Sequence, residues 1–404
     1  MQGSRRTWLA AALATPLMAT GSPNWDAISN SFPVDRSIIN FNHAGVATTP
    51  VKILNAVIEH TRIGEHAAPN TIFSYSPKLE PIRSGLAKII ACDPEEIAIT
   101  RNATESLHTV LLGLPLKPGD EVLTTTLDYW AMLDALEQRR ERDGITIGKI
   151  TIPAPCTDLS QITNLFARAI TPKTKLILIS HPINLNGQLF PVRDICRLAH
   201  SKGIEVVVDA AQSFALKQYT IQDLECDYLG ASLHKWLQAP KGTGVLYVKR
   251  DKIEKLWPLF ASGNTRPKQD VRKFELYGTW PQTILAISEA LEFHNTIGAS
   301  AKEARHRELT TYWLDRVKDI PTLRHHTPHG NEVSCGITCI ELQNIPTPKL
   351  RQWLLDQHKI LTMDVTRRTN QFSGIRISPG LATTKTELDQ LVAALHQAPS
   401  RLKR

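Results

Sequence analysis

Short apolar runs rich in β-branched residues alternate with longer amphipathic stretches over residues 79–262 of this 404-residue chain. The runs predict strands over 96–100, 121–125, 145–152, 176–180, 204–209 and 244–248, and the stretches 105–113, 132–143 and 193–202 predict helices. Fully apolar strands separated by helices indicate a mostly parallel sheet covered on both faces. In such sheets ligands gather beyond the carboxyl ends of the strands. After about residue 283 the pattern changes. A long helix is predicted over 284–314, then strands near 336–342 and 374–378 flanked by helices near 348–358 and 386–397, which makes a smaller α+β domain. The chain therefore divides into a leader (1–23), an N-terminal segment (24–50), a large domain (51–283) and a small C-terminal domain (284–404). It has no internal repeat and no low-complexity segment.

Composition changes this picture little. Hydrophobic content of 42% and charged content of 21% are ordinary for a soluble globular chain. The net charge of +8 is dispersed, with only short clusters such as Arg139-Arg140 and Arg367-Arg368. Without a basic arm or zinc-finger spacing it does not indicate a nucleic-acid partner. A basic surface that draws in a carboxylate or phosphate ligand accounts for it. The N-terminus adds more. Arg5-Arg6 precede an apolar run over 9–19, too short to span a bilayer, so no membrane anchor is expected. It reads as a twin-arginine export signal cleaved between residues 19 and 24, which implies a periplasmic protein. A plain basic N-terminus would leave the protein cytoplasmic. The six cysteines form no Cys-x-x-Cys pair, so no zinc or other metal site is indicated and buried thiols are expected rather than disulfides. Cys335 and Cys339 lie in a β-like run that would point them to one face.

Three places carry candidate chemistry. Asp209 ends a fully apolar strand, at the rim where the sheet presents ligands, and small residues follow in Ala210-Ala211. A carboxylate there can keep a pyridine nitrogen protonated, and it can equally cap the next segment. Lys235 lies in the apolar setting Leu233-His234-Lys235-Trp236, where an amine has the lowered pKa that a carbonyl nucleophile needs. The alternative is an ordinary surface lysine. Arg101-Asn102-Ala103-Thr104-Glu105 follows a strand and opens a helix, whose free N–H groups can bind a phosphate. Asn102 and Glu105 also make a capping box, and both readings hold together.

With Gly119-Asp120-Glu121-Val122, Asp209-x-x-Gln212, Ser232-x-His234-Lys235 and Tyr277-Gly278-Thr279, these residues resemble the class V aminotransferase family. Residues 100–145 look most like its isopenicillin-N-epimerase-like branch. The resemblance implies the α/β architecture of pyridoxal-phosphate enzymes of fold type I: a large domain with a mostly parallel, mixed seven-stranded sheet and a smaller C-terminal α+β domain. It implies pyridoxal 5'-phosphate held as a Schiff base on Lys235, which is also the catalytic base, with Asp209 on the ring nitrogen and Gln212 and Asn184 near the ring oxygen. Tyr129 falls where relatives stack an aromatic ring on the cofactor, and Ala103, Thr104, Ser232 and His234 would hold the phosphate. Thr279 would reach the phosphate of a neighbouring subunit, which implies a homodimer with shared sites. Arg376 would grip a substrate carboxylate, and Asn42 would line the substrate pocket.

Two departures bear on the reaction. The stretch Leu381-Ala382-Thr383-Thr384 replaces a Tyr-Asn pair found in relatives, so the pocket is expected to be wider or differently polar. The loop Thr369-Asn370-Gln371-Phe372-Ser373 lacks the cysteine of sulfur-extracting members, which argues against persulfide chemistry. The expected activity is epimerisation or transamination at Cα of an amino acid or peptidyl amino acid. A C–S or other β-lyase is the alternative, and a non-catalytic cofactor-binding scaffold is the alternative of another class.

Overall fold

The computed structural model describes residues 18–19, 21–66, 68–261, 267–276, 278 and 281–402. The paired arginines of the leader, and Tyr277 and Thr279, lie outside them. The strands β1 (Ile97–Thr100), β2 (Glu121–Thr125), β3 (Thr146–Ile150), β4 (Thr174–Ser180), β5 (Glu205–Asp209), β6 (Tyr228–Ser232) and β7 (Gly244–Val248) form one seven-stranded sheet. Its order is β1-β7-β6-β5-β4-β2-β3, and β7 alone runs against the others. The sheet is mostly parallel, as the pattern predicts, and mixed and seven-stranded, as the family resemblance implies. Strand β6 has no place in that pattern, because Asp227-Tyr228-Leu229-Gly230-Ala231-Ser232 mixes small residues into a short run.

The two-residue period of the strands distributes their side chains between two cores. Ile97, Ile177, Ile179, Val206, Val208, Leu229 and Val245 face one cluster. Ala98, Leu176, Leu178, Val207, Tyr228 and Leu246 face the other, under the helices α1 (Ala103–Gly113) and α2 (Trp130–Asp143). Helix α3 (Val192–His200) packs on the first side.

The predicted long helix over 284–314 is interrupted. Helix α4 (Ile287–Ile297) ends at Gly298, whose φ of +86° breaks the helical path, and α5 (Ala299–Val317) starts afresh. Ile287, Ala290 and Phe293 of α4 pack in the large-sheet core, whereas Leu309 and Trp313 of α5 belong to the small one. There a four-stranded sheet, β8 (Leu323–His325), β9 (Thr338–Leu342), β10 (Met363–Asp364) and β11 (Ile375–Ile377), is covered by α6 (Thr347–His358) and α7 (Lys385–Arg401). The N-terminal segment joins it: Ile39–Asn40 pairs in parallel with Ile360–Leu361, and Phe41 is fully buried in the same core.

All six cysteines are free. Cys335 and Cys339 do not share a face. The strand begins only at Thr338, so Cys335 packs beside Trp236 while Cys339 lies in the large core. Among the described residues no helix is long and apolar enough to cross a membrane.

Candidate active site

The parallel strands β2, β4, β5 and β6 end at one rim, and register brings their last residues together. Ser180 stands opposite Asp209, and Asp209 opposite Gly230. Asp209 is 6% exposed, and its Oδ1 accepts the N–H of Ala211 at 2.9 Å. Burial pushes its carboxyl up to about 6. The Ala211 bond and the Lys235 charge oppose the rise, and Asp128 adds to it. A carboxylate held this way favours a cation that shares its enclosure.

Lys235 follows β6 on a tight loop. Leu233 donates to the Thr243 carbonyl at 3.0 Å, and Ala239 donates back to Leu233 at 3.1 Å. From beneath, the wholly buried Lys302 of α5 donates to the Trp236 carbonyl and to Gln238 Oε1 at 2.9 Å. Burial lowers the Lys235 amine to about 8; Asp209 opposes this and Arg376 adds to it. An amine so placed is neutral often enough near neutral pH to attack a carbonyl.

At the same end of β6, the strand's last residue, Ser232, accepts the N–H of Ala103, the first residue of α1, on its Oγ at 2.9 Å. Asn102 caps the helix, its Oδ1 accepting the Glu105 N–H at 2.8 Å. The N–H of Thr104 belongs to the first turn, which has no intrahelical acceptor. Two glycines permit this approach. A Cβ on Gly244 would lie 2.5 Å from the Asn102 nitrogen, and one on Gly230 would lie 2.7 Å from Leu107 of α1. His234 Nδ1 is buried without a partner among the described residues, and burial, followed by the charges of Lys235 and Lys241, lowers the imidazole to about 4. It is neutral at physiological pH and offers both a donor and an acceptor.

These residues surround two adjoining cavities. One, of about 260 Å³, is lined by Ala103, Thr104, Ser232, His234, Asp209 and Lys235, among others. The second, of about 130 Å³, is lined by Arg376, Arg368, Asp128, Trp130, Leu185 and Met363 on the small-domain side. Gly45, Tyr129, Asn184, Gln212 and Lys235 line both. Gln212 is fixed by donating to the Ala44 carbonyl and accepting the Trp236 indole N–H, each at 2.9 Å. Asn184 Oδ1 is buried and has no partner among the described residues.

Arg376, on β11, is 2% exposed. Its Nη1 donates to the Asn184 carbonyl at 2.8 Å and its Nη2 to Asn42 Oδ1 at 2.6 Å, and among the described residues Nε has no partner. Among the described residues no carboxylate neutralises it, and burial lowers it to about 10. A buried cation without an anion is costly, and a carboxylate ligand would relieve that cost. Asn42 stands behind the guanidinium and orients it; it does not itself line either cavity.

The first cavity fits pyridoxal phosphate. A buried carboxylate with a raised pKa suits a ring N–H. The amine of Lys235 suits its aldehyde, the unpartnered Asn184 and fixed Gln212 suit its ring oxygen, and the first turn of α1 with Ser232 and His234 suits its phosphate. Of the residues predicted from sequence, the structure brings eleven together here; Thr279 lies outside the described residues.

Sequence reasoning missed three residues. Asp128 accepts Thr124 Oγ1, Thr125 N–H and Thr125 Oγ1 on one oxygen and Ser180 Oγ on the other, at 2.7 to 2.9 Å. Its place just past a strand end is the same signal that exposed Asp209. Arg368 was visible only as half of a surface pair. Lys302 gave no signal, since nothing in a helical stretch of mixed polarity marks a lysine as buried.

The family profile for aminotransferase class-V matches residues 35–391. The chain is 26% identical over 397 residues to isopenicillin N epimerase of Streptomyces clavuligerus, a match covering 92% of this chain and 98% of that one. It is 28% identical over 343 residues to a probable cysteine desulfurase of Synechocystis, covering 78% and 79%. Among solved structures, the cystine C-S lyase C-DES bound to cysteine persulfide superposes with a TM-score of 0.82 at 22% identity, over 92% of this chain and all of that one. The cysteine desulfurase CsdA from Escherichia coli superposes at 0.78 with 22% identity, over 94% and 99%.

Proposed function

The chain belongs to the aminotransferase class-V family and depends on pyridoxal phosphate, and from that premise we propose that it moves a proton at Cα of an amino acid or peptidyl amino acid. Epimerisation is the reading the site supports best, and transamination would use the same groups. The observation that carries it is the composition of the wall shared by the two cavities. Of the five residues lining both, Lys235 and Tyr129 are the two that can give or take a proton. Inversion at Cα needs a donor and an acceptor within reach of one carbon. The Tyr129 hydroxyl has no hydrogen-bond partner in the chain among the described residues, which leaves it free for that task.

Bound pyridoxal phosphate supplies an electron sink that acidifies the Cα–H bond. The side chains do the rest. Asp209 holds the ring nitrogen protonated, and the start of α1 with Ser232 fixes the phosphate. Arg376 takes the substrate carboxylate through its free edge while Asn42 and the Asn184 carbonyl keep the guanidinium from turning. Lys235 would anchor the cofactor and, with its amine free, would take the proton from Cα. Tyr129 would return a proton to the other face of Cα, whereas transamination would rely on Lys235 alone for its proton movements.

A β-lyase reading is the second, since a C-S lyase shares the fold. Desulfuration by a cysteine nucleophile is disfavoured, because neither cavity is lined by a cysteine. The nearest thiol to Arg376, Cys339, is fully buried and pushed far up by that burial. Exposed Val46 and Trp130 at the cavity rims suit a homodimer with shared sites, and the twin-arginine leader suits an exported enzyme. The test is product analysis over a panel of L-amino acids. A D-isomer supports epimerisation, and an oxo acid that keeps its β-substituent, formed without free ammonia, supports transamination. Free ammonia or sulfide together with an oxo acid that has lost its β-substituent, and no D-isomer, overturns both in favour of the lyase. Tyr129→Phe should lower racemisation by about 10²-fold or more and spare single-face proton exchange.

A further inference from the structure

The second cavity holds more positive charge than one carboxylate requires. Arg376 lies at its floor and Arg368 at its mouth, and among the described residues neither has a carboxylate within ion-pair distance. Arg368 is exposed, but it is not adrift. Its backbone N–H donates to Val365 at 2.8 Å, and its guanidinium lies over the Trp130 ring, 5.5 Å from the centroid, on the opposite domain. The same loop is tied across the cleft where Gln371 donates to Thr126 Oγ1. The one acid lining this cavity, Asp128, is already committed to four bonds with Thr124, Thr125 and Ser180. Leu185 and Met363 add apolar lining to the same cavity.

We propose that the substrate carries two anionic groups, an α-carboxylate on Arg376 and a second carboxylate that Arg368 receives at the far end of an aliphatic or amide-containing spacer. This rests on reading the second cavity as the substrate's space, and it deepens that reading by assigning a substrate class and a specificity-determining residue. A neutral side chain would leave the Arg368 guanidinium with only the face of Trp130. An acidic one gains a charge-assisted bond in a partly enclosed space.

The test uses holoenzyme and ligands that lack an amino group, so that binding is read without turnover. Succinate, glutarate and adipate are compared by calorimetry with monocarboxylates of equal chain length, and N-succinylglycine presents the second carboxylate beyond an amide. Wild type should bind at least one diacid about fivefold to tenfold more tightly than its monoacid, the modest figure reflecting the exposure of Arg368. Preference for N-succinylglycine marks a peptide carboxylate, and preference for a simple diacid marks an acidic side chain. Arg368→Gln, a surface change that does not threaten folding, should erase the preference, while Arg376→Gln should weaken diacids and monoacids alike. Equal affinity for mono- and diacids, a preference that survives in Arg368→Gln, or no saturable binding of either would overturn the proposal. Failure of the Cα reading would appear instead as an absence of proton exchange with these affinities intact.

Discussion

Asp209 allows function and stability to be separated. In the cofactor-free chain burial raises its carboxyl from 3.8 to about 6, so the folded state holds this proton more tightly than the unfolded state does. The stability this group contributes is therefore complete below about pH 4 and is lost as pH rises through 6. A rise of about two decades in proton affinity corresponds to about 3 kcal/mol, a net figure that already contains the opposing Lys235 charge and Ala211 hydrogen bond. Asp209→Asn keeps the shape and removes the titration. The variant should thus gain on wild type by about 1–3 kcal/mol between pH 4.5 and pH 7.5, while losing most of its affinity for pyridoxal phosphate. The assay is urea unfolding of the two cofactor-free proteins at matched concentration across that range. Groups that do not sense Asp209 cancel in the difference; Lys235 does sense it, since without that charge its amine is lowered further, which adds to the variant's gain at the upper end of the range. A difference that stays flat with pH, or that moves in favour of wild type as pH rises, would refute the reasoning.

Other expectations follow from single contacts. Ser232→Ala leaves the Ala103 N–H without its acceptor and removes a hydroxyl from the phosphate end. Cofactor affinity, titrated into apoprotein, should fall by about 1–3 kcal/mol with turnover at saturating cofactor little changed. Arg376→Lys keeps the charge but loses the planar fork, so KM for an amino acid should rise by about tenfold or more, and a KM within twofold of wild type would count against the carboxylate role. The amine of Lys235 is lowered from 10.5 to about 8, so the rate of cofactor capture by apoprotein should climb about tenfold per pH unit up to about pH 8 and then level. A climb that continues to pH 10 would show an unperturbed lysine.

Much of this was legible along the chain because apolar strands and strand-end residues are local features. Three consecutive valines lead into Asp209, and the start of α1 carries its Asn102 cap within five consecutive residues, although Glu105 turns to Arg101 instead of completing the expected capping box. Strand β6 escaped because Gly230, Ala231 and Ser232 dilute its apolar character, and Gly230 is what α1 needs for its close approach. The break at Gly298 had a local signal that went unused, a glycine after Asn295 and Thr296, and its positive φ separates α4 from α5. Asn42 was assigned to the pocket wall because sequence cannot show that Ile39–Asn40 pairs with a strand more than three hundred residues away and so carries Asn42 behind Arg376. Lys302 and Arg368 depend wholly on tertiary placement. One is buried under the Lys235 loop and the other is set against Trp130 across a cleft.

The central claim is that Lys235 both holds the cofactor and moves the Cα proton. The direct measurement is proton exchange in deuterated water, followed by mass spectrometry or proton NMR, with holoenzyme and Lys235→Ala incubated with the same amino acids and saturating pyridoxal phosphate. The account predicts Cα deuterium in at least one amino acid with wild type and a rate at least about 10²–10⁴-fold lower with the variant, which should also lose the visible band of the lysine-bound cofactor. A Lys235→Ala protein that kept that band and exchanged Cα at the wild-type rate would contradict it.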